Sequence, residues 1–186
     1  MAQSKNNVIT HGLTGLVGDM LVFRNRGGKT FVSSKPKERT GEPSEGQKLQ
    51  HERFQEAILY AKGAISNPDI KAEYAEAITG NETAYNVAVA DFFHAPNIKS
   101  IDLSSYTGKV GETIIIRATD DFKVADVNVT IFNADGTEVE HGQAICSNGV
   151  DWIYTATADN SSLDGDRIVV RATDMPGNKS EEERNL

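Results

Sequence analysis

Thr113-Ile-Ile-Ile-Arg-Ala-Thr119, a short Asp120-Asp-Phe-Lys123 link and Val124-Ala-Asp-Val-Asn-Val-Thr-Ile-Phe132 decide how the second half of this chain is read. Ile114, Ile116 and Ala118 alternate with Thr113, Ile115 and Arg117; Val127, Val129 and Ile131 alternate with Asn128, Thr130 and Phe132. A period of two puts successive side chains on opposite faces, so both stretches read as strands with one buried face. Downstream, Asp135-Gly136 supplies a tight turn before Thr137-Glu-Val-Glu140. Further strands are expected at Ala144 to Cys146, Trp152 to Ala158 and Arg167 to Ala172.

Upstream of Pro96 the period is helical. Ser44 is placed to cap a helix with Gln47 in the capping-box position, and Phe54, Ile58, Ala61 and Ile65 give that helix an apolar face with Leu59 beside it. Asn67-Pro68 opens a shorter helix running to about Thr79, and Gly80 stops it. A third helical stretch from Asn81 to Phe93 places Tyr85, Val89 and Phe92 in a packing stripe. Before the helices, Met20 to Phe23 and Thr30 to Ser33 flank Asn25-Arg-Gly-Gly28, which predicts a hairpin. A lone hairpin is marginal in water, so its open edge predicts pairing with another element or another chain.

The expected architecture is therefore an α+β chain of two modules. Residues 1–97 form a basic β-hairpin and three-helix module, residues 98–181 a β-sandwich of immunoglobulin-like type with about seven strands, and residues 182–186 a disordered tail. Cys146 is the only cysteine, so no internal disulfide can join the two sheets, and its neighbours predict a buried position. Packing around Trp152, Ile115 or Ile116, and Val169 must hold the core instead, at about 1.5–3 kcal/mol for each large side chain buried.

Charge separates the halves. Residues 1–97 hold 11 Lys/Arg against 11 Asp/Glu, while residues 98–186 hold 8 against 16, so the whole net charge of -8 falls in the second half. That half repels duplex nucleic acid. Within the first 40 residues Lys5, Arg24, Arg26, Lys29, Lys35, Lys37 and Arg39 face only Asp19 and Glu38. Arg24, Arg26, Lys29, Lys35, Lys37 and Arg39 are the partner-binding candidates: a basic arm suits an acidic protein, and the acidic half of a second copy is the simplest such partner. Nucleic acid is disfavoured because no aromatic ladder accompanies the basic groups.

The second half resembles bacterial immunoglobulin-like and cadherin-like repeats of surface and structural proteins, through Ile116-Arg-Ala-Thr-Asp-Asp121, Val127-Asn-Val-Thr-Ile131 with Asp135-Gly136, Tyr154-Thr-Ala-Thr-Ala158, and Val169-Val-Arg-Ala-Thr-Asp174 with Gly177-Asn178. The first half is similar to the opening of a group of Bacteroidetes-type bacterial proteins from which no activity transfers. Gly12-Leu-Thr-Gly-Leu-Val-Gly18, the hairpin to Ser34, Pro36, and Gln47 to Phe54 carry that likeness. The resemblance implies a fold and a bacterial source more than a function.

Reactive chemistry is not called for. Gly12, Gly15 and Gly18 precede a strand rather than opening a helix, unlike a dinucleotide fingerprint, and no Lys-Ser/Thr ending makes a P-loop. His11, His51, His94 and His141 share no ligand spacing, and no Gly-x-Ser-x-Gly elbow occurs. The chain is expected to be no enzyme and to need no cofactor, with calcium as the one ion worth weighing. Asp120, Asp121 and Asp174, with Asn178 as a carbonyl donor, are the metal candidates, since Ala-Thr-Asp ends two core-like strands. Oppositely running strands would, however, put those acids at opposite ends. Trp152 and Tyr154, two apart, are candidates for stacking on sugar rings if exposed and for the core if not.

Two functions follow as expectations. The first is a non-enzymatic bacterial structural or interaction protein that docks or self-assembles through its N-terminal module, with a protein partner or a homo-oligomer. The alternative is a calcium-dependent carbohydrate- or protein-binding adhesion module. No apolar run spans a membrane and no signal-peptide core is seen, so a cytoplasmic place or release by a non-classical route is expected.

Overall fold

A computed structural model describes residues 2–4, 8, 10, 12–38 and 41–186. Its elements run β1 (Ala2–Ser4), β2 (Gly15–Val17), β3 (Leu21–Arg26), β4 (Lys29–Ser34), α1 (Glu45–Ser66), α2 (Pro68–Glu76), α3 (Ala84–Asp91), β5 (Asn97–Asp102), β6 (Thr113–Thr119), β7 (Val124–Phe132), β8 (Glu138–Gln143), β9 (Ile145–Cys146), β10 (Asp151–Thr155), β11 (Arg167–Asp174) and β12 (Lys179–Asn185). Three antiparallel four-stranded sheets result, ordered β1-β4-β3-β2, β5-β6-β10-β9 and β12-β11-β7-β8, so the chain is mixed α+β. Among the described residues no helix is long and apolar enough to cross a membrane.

The chain divides into two compact units, Met1–His51 and Glu52–Leu186. In the first, the expected hairpin is β3 and β4, closed by Gly27 and Gly28 at φ 56° and 71°. Two successive left-handed residues match the right-handed twist of the flanking strands, and only glycine adopts that conformation freely. The hairpin is not isolated, because β2 pairs with β3 and β1 with β4. The short flanking strands carry too few residues for alternation to reveal them.

In the second unit, the inward positions of the last two sheets share one hydrophobic cluster. Ile114, Ile116 and Ala118 of β6, Val127, Val129 and Ile131 of β7, and Ile168, Val170 and Ala172 of β11 belong to it with Trp152 and Tyr154. The arrangement is compatible with a β-sandwich. Ile115 is 38% exposed, and on β11 Ile168, Val170 and Ala172 are buried, with Val169 only half-buried. Cys146 is exposed rather than buried, because β9 is a two-residue edge strand whose Ile145 is 76% exposed.

Residues 182–186, expected as a disordered tail, instead continue β12 along β11. The salt bridges Arg171–Glu181 and Arg167–Glu183 cross the pair, and the Leu186 N–H donates to the Asp166 carbonyl. An edge strand needs only one neighbour, so a charged segment can serve without an apolar face.

The helices also follow their caps closely. The Ser44 and Gln47 capping box is formed reciprocally, at 3.0 and 3.3 Å, and Asn67 and Thr83 accept from Asp69 and Asn86 backbone N–H groups. The buried stripe of α1 is Ala57, Ala61 and Ala64, rotated from the expected Phe54, Ile58, Ala61 and Ile65. Small side chains let the neighbouring helices approach, while Phe54 stacks on Phe93 at the margin. Tyr74 of α2 is fully buried, and Tyr60, Tyr85 and Val89 pack around it and Ala88. The helices change to strands near Pro96 as expected, but the division of the chain falls at His51/Glu52, within α1, instead of at 97/98. Phe122, in the β6–β7 link, packs with the helices, which explains why α2 and α3 belong with the strands.

Candidate functional site

Three buried stripes end in aspartates that meet. Along β6 the inward series Ile114, Ile116, Ala118 reaches Asp120 at the next position of the same parity, and along β11 Ile168, Val170, Ala172 reaches Asp174. On α3 the buried face Ala84, Ala88 reaches Asp91. Asp91, Asp120 and Asp174 each offer a carboxylate oxygen, all within 4.8 Å of one another. The last inward residue before each acid is an alanine, which leaves room for a polar group at the end of the core. Asp91 and Asp174 are 2% exposed.

The objection that Asp120 and Asp174 would lie at opposite ends does not hold. The strands that carry them sit in different sheets and leave the common core at one end. A register shift between Thr173 and Asp174 pairs Asp174 with Val124, and such a bulge re-aims the side chain at the strand terminus.

Each acid is held by its own donors. The Tyr74 hydroxyl donates to Asp91 Oδ2 at 2.6 Å, and Tyr60 lies 2.7 Å from Tyr74, oxygen to oxygen. Asp120 Oδ2 accepts from the Lys123 N–H at 3.3 Å. Asp174 Oδ1 accepts from the Gly177 and Asn178 N–H groups at 2.8 and 2.6 Å, and Oδ2 from Asn178 Nδ2 at 2.7 Å. Asp91 Oδ1 and Asp120 Oδ1 are shielded from solvent and accept no hydrogen bond from any described residue.

Burial pushes the Asp91 carboxyl up to about 7 against the Tyr74 hydrogen bond, and the charges of Asp120, Asp174 and Asp121 add to the rise. Burial likewise raises Asp120, against hydrogen bonding from the Asp121 and Lys123 backbone N–H groups and with the charges of Asp174 and Asp121 adding to the rise. Both shifts say that negative charge is crowded where water cannot screen it.

Of the expected metal candidates, Asp120 and Asp174 come together. Asp121 does not join them: its side chain is 70% exposed and pairs with His94 at 2.8 Å. Asn178 has a different part from the carbonyl donor expected of it, since its Nδ2 donates to the Phe92 and His94 carbonyls at 3.2 and 3.0 Å as well as to Asp174. It thereby ties the chain just past α3 to the β11–β12 turn. Asp91 escaped the sequence reading because it sits on a helix far from the paired Ala-Thr-Asp text; its place on the Ala84/Ala88 stripe was the available signal.

Trp152 and Tyr154 are 6% and 2% exposed, so they are core residues and offer no surface for sugar stacking. The Tyr154 hydroxyl donates to the buried Glu140 at 2.9 Å.

Among the basic candidates, Arg24, Arg26 and Lys29 are exposed. Directly paired residues share a sheet face, so the pairings Leu16↔Val22, Arg24↔Phe31 and Arg26↔Lys29 place these cations on one face with Leu16, Val22 and Phe31. Lys35 is bonded to Asp19 at 2.5 Å, and Lys37 is exposed beside it along the edge of a shallow cavity with Met20 and Pro36. Arg39 lies outside the described residues.

No protein-family model matches the chain, and no curated protein matches it.

Proposed function

We propose that this chain is a non-enzymatic bacterial interaction component that docks through the face of its N-terminal sheet bearing Leu16, Val22, Arg24, Arg26, Lys29 and Phe31. The observation that carries this reading is the mixture on that one face: the exposed cations Arg24, Arg26 and Lys29 cluster toward the hairpin turn beside Val22 and Phe31, and Leu16 is 52% exposed. Apolar area gives such a face affinity, and the charges select an acidic partner and speed encounter. The second half of another copy, which carries the net charge of -8, is an acidic partner the chain itself supplies.

The C-terminal strands read as an immunoglobulin-like sandwich acting as spacer or as partner-binding module. Support comes from the strand order: β5-β6-β10-β9 and β12-β11-β7-β8 correspond to the ABED and GFC sheets of such domains, with one strand added beside C.

Sedimentation velocity of the full chain tests the docking reading. Self-association should rise with protein concentration and weaken as salt goes from about 0.1 M to about 1 M, where the screening length falls from about 10 Å to about 3 Å. Arg24→Glu with Arg26→Glu should abolish it. A monomer independent of concentration at low salt removes the self-docking form of the proposal.

A further inference from the structure

We infer that Asp91, Asp120 and Asp174 form a calcium site that fastens α3 to the ends of β6 and β11. Three carboxylates from three separate elements converge within 4.8 Å. Two of their oxygens, Asp91 Oδ1 and Asp120 Oδ1, are buried and accept no hydrogen bond from any described residue, although the remaining oxygens of all three acids are bonded. A buried carboxylate oxygen without a donor is costly, and two of them in one acidic cluster ask for a cation.

The protein's own cations do not supply it. Among the described residues, the nearby Lys123 is paired with Glu73 at 2.8 Å and His94 with Asp121 at 2.8 Å, and none of the salt bridges includes Asp91, Asp120 or Asp174. The donor set is all oxygen, which selects a hard ion over zinc or copper. Asp174 Oδ1 already accepts twice, which leaves the three acids about five oxygens with a lone pair to offer, and water completes the six to eight that calcium takes, whereas magnesium is usually held by one or two carboxylates and keeps most of its water. The hydrogen bonds from Tyr74, the Lys123 N–H and Asn178 orient the carboxylates before any ion arrives. Of the three acids, Asp120 lines an open cavity, together with Phe93, His94, Asn97, Lys99 and Thr119, and Lys99 makes no salt bridge to any of the three.

The site is independent of the N-terminal sheet, so docking and ion binding fail or survive separately. Chelator-treated full-length chain, titrated with calcium chloride up to about 5 mM, should show a saturable heat and a rise in melting temperature of about 5–10 °C. Magnesium chloride at the same concentration should give much less. Asp91→Asn should abolish the calcium response, and Asp121→Asn should leave it intact. In the unmodified chain, terbium should show emission sensitised by tyrosine, since Tyr74 touches Asp91, and calcium should quench it by displacement; this readout does not depend on a variant folding. No heat, no thermal shift and no sensitised emission overturn the site. A calcium response that persists in Asp91→Asn, or a magnesium response exceeding the calcium one, overturns the assignment as well.

Discussion

The Tyr74 ring lies stacked on the Phe122 ring, with centroids 4.2 Å apart and planes inclined by 24°. One residue belongs to the middle helix and the other to the link between β6 and β7, so a single aromatic pair joins the helical layer to the strands. Phe122→Ala should destabilise the second unit by about 2 kcal/mol or more, toward the low end of what a fully buried phenylalanine costs, because Phe122 is only half-buried. Urea unfolding followed by tyrosine near-UV dichroism measures this. A loss under about 0.5 kcal/mol would show that the stack does not couple the layers.

Gly108 and Gly111 both have positive φ, 93° and 87°, yet they face different surroundings. A Cβ on Gly108 would come within 2.4 Å of the Asn160 carbonyl oxygen, whereas one on Gly111 would meet nothing within 4 Å. Gly111→Ala should therefore cost only the left-handed backbone penalty of about 1–2 kcal/mol. Gly108→Ala should cost distinctly more, since backbone must move. Equal melting temperatures for the two variants would contradict the close approach.

Glu140 is 7% exposed, and its Oε2 accepts from the Tyr154 hydroxyl, the Thr157 N–H and hydroxyl, and the Ala158 N–H. Glu140→Ala strands these donors and should cost about 3 kcal/mol or more. Glu140→Gln keeps an accepting oxygen and should cost about half of that, a difference readable by denaturant titration.

In chelator, the Asp91 carboxyl gives stability a definite slope with pH. Its folded value of about 7 stands above the ordinary 3.8, so the native state holds a proton that the unfolded chain has lost. Stability should fall as pH rises from about 4 to about 7 and level off beyond. Tyr74 from α2, Asp120 from the β6 terminus and Asp174 from β11 face Asp91, the more distant Asp121 charge adds to the rise, and among the described residues no salt bridge reaches Asp91. Melting temperatures between about pH 5 and about pH 8 should drop, and Asp91→Asn should flatten the slope. An unchanged slope in the variant would place its origin elsewhere.

Cys146 should react with a thiol reagent in the native protein, one equivalent per chain and without denaturant, because it is exposed on β9. A reaction that waits for unfolding would contradict the placement of that edge strand.

Much of the second unit can be read directly from alternation. Ile114, Ile116 and Ala118 are buried as their period demands, and so are Val127, Val129 and Ile131. Carrying the same period two residues further would have set Asp120 and Asp174 on the inward face, but local pattern holds no information on which strand ends are neighbours. Asp91 needed the docking of α3, a tertiary event, and so did the rotation of α1 onto its alanines. Cys146 and Ile145 show the reverse error: apolar residues on a very short edge strand look like core until the absence of a covering layer is known. The hairpin turn was legible because Gly27 and Gly28 leave few other conformations open, while β12 was hidden because its Glu and Arg residues report the solvent on either side and not the backbone bonds between.

The placement of β12 at the margin of its sheet has a consequence for crowded solutions. A free strand margin is a template on which another chain can add, and growth by that route leads to fibrils. Here consecutive Glu181, Glu182, Glu183 and Arg184 put charge above and below the sheet along that margin. A second β12 brought alongside would set carboxylates against carboxylates, which discourages stacking of these domains into ribbons and lets them stay concentrated without coalescing.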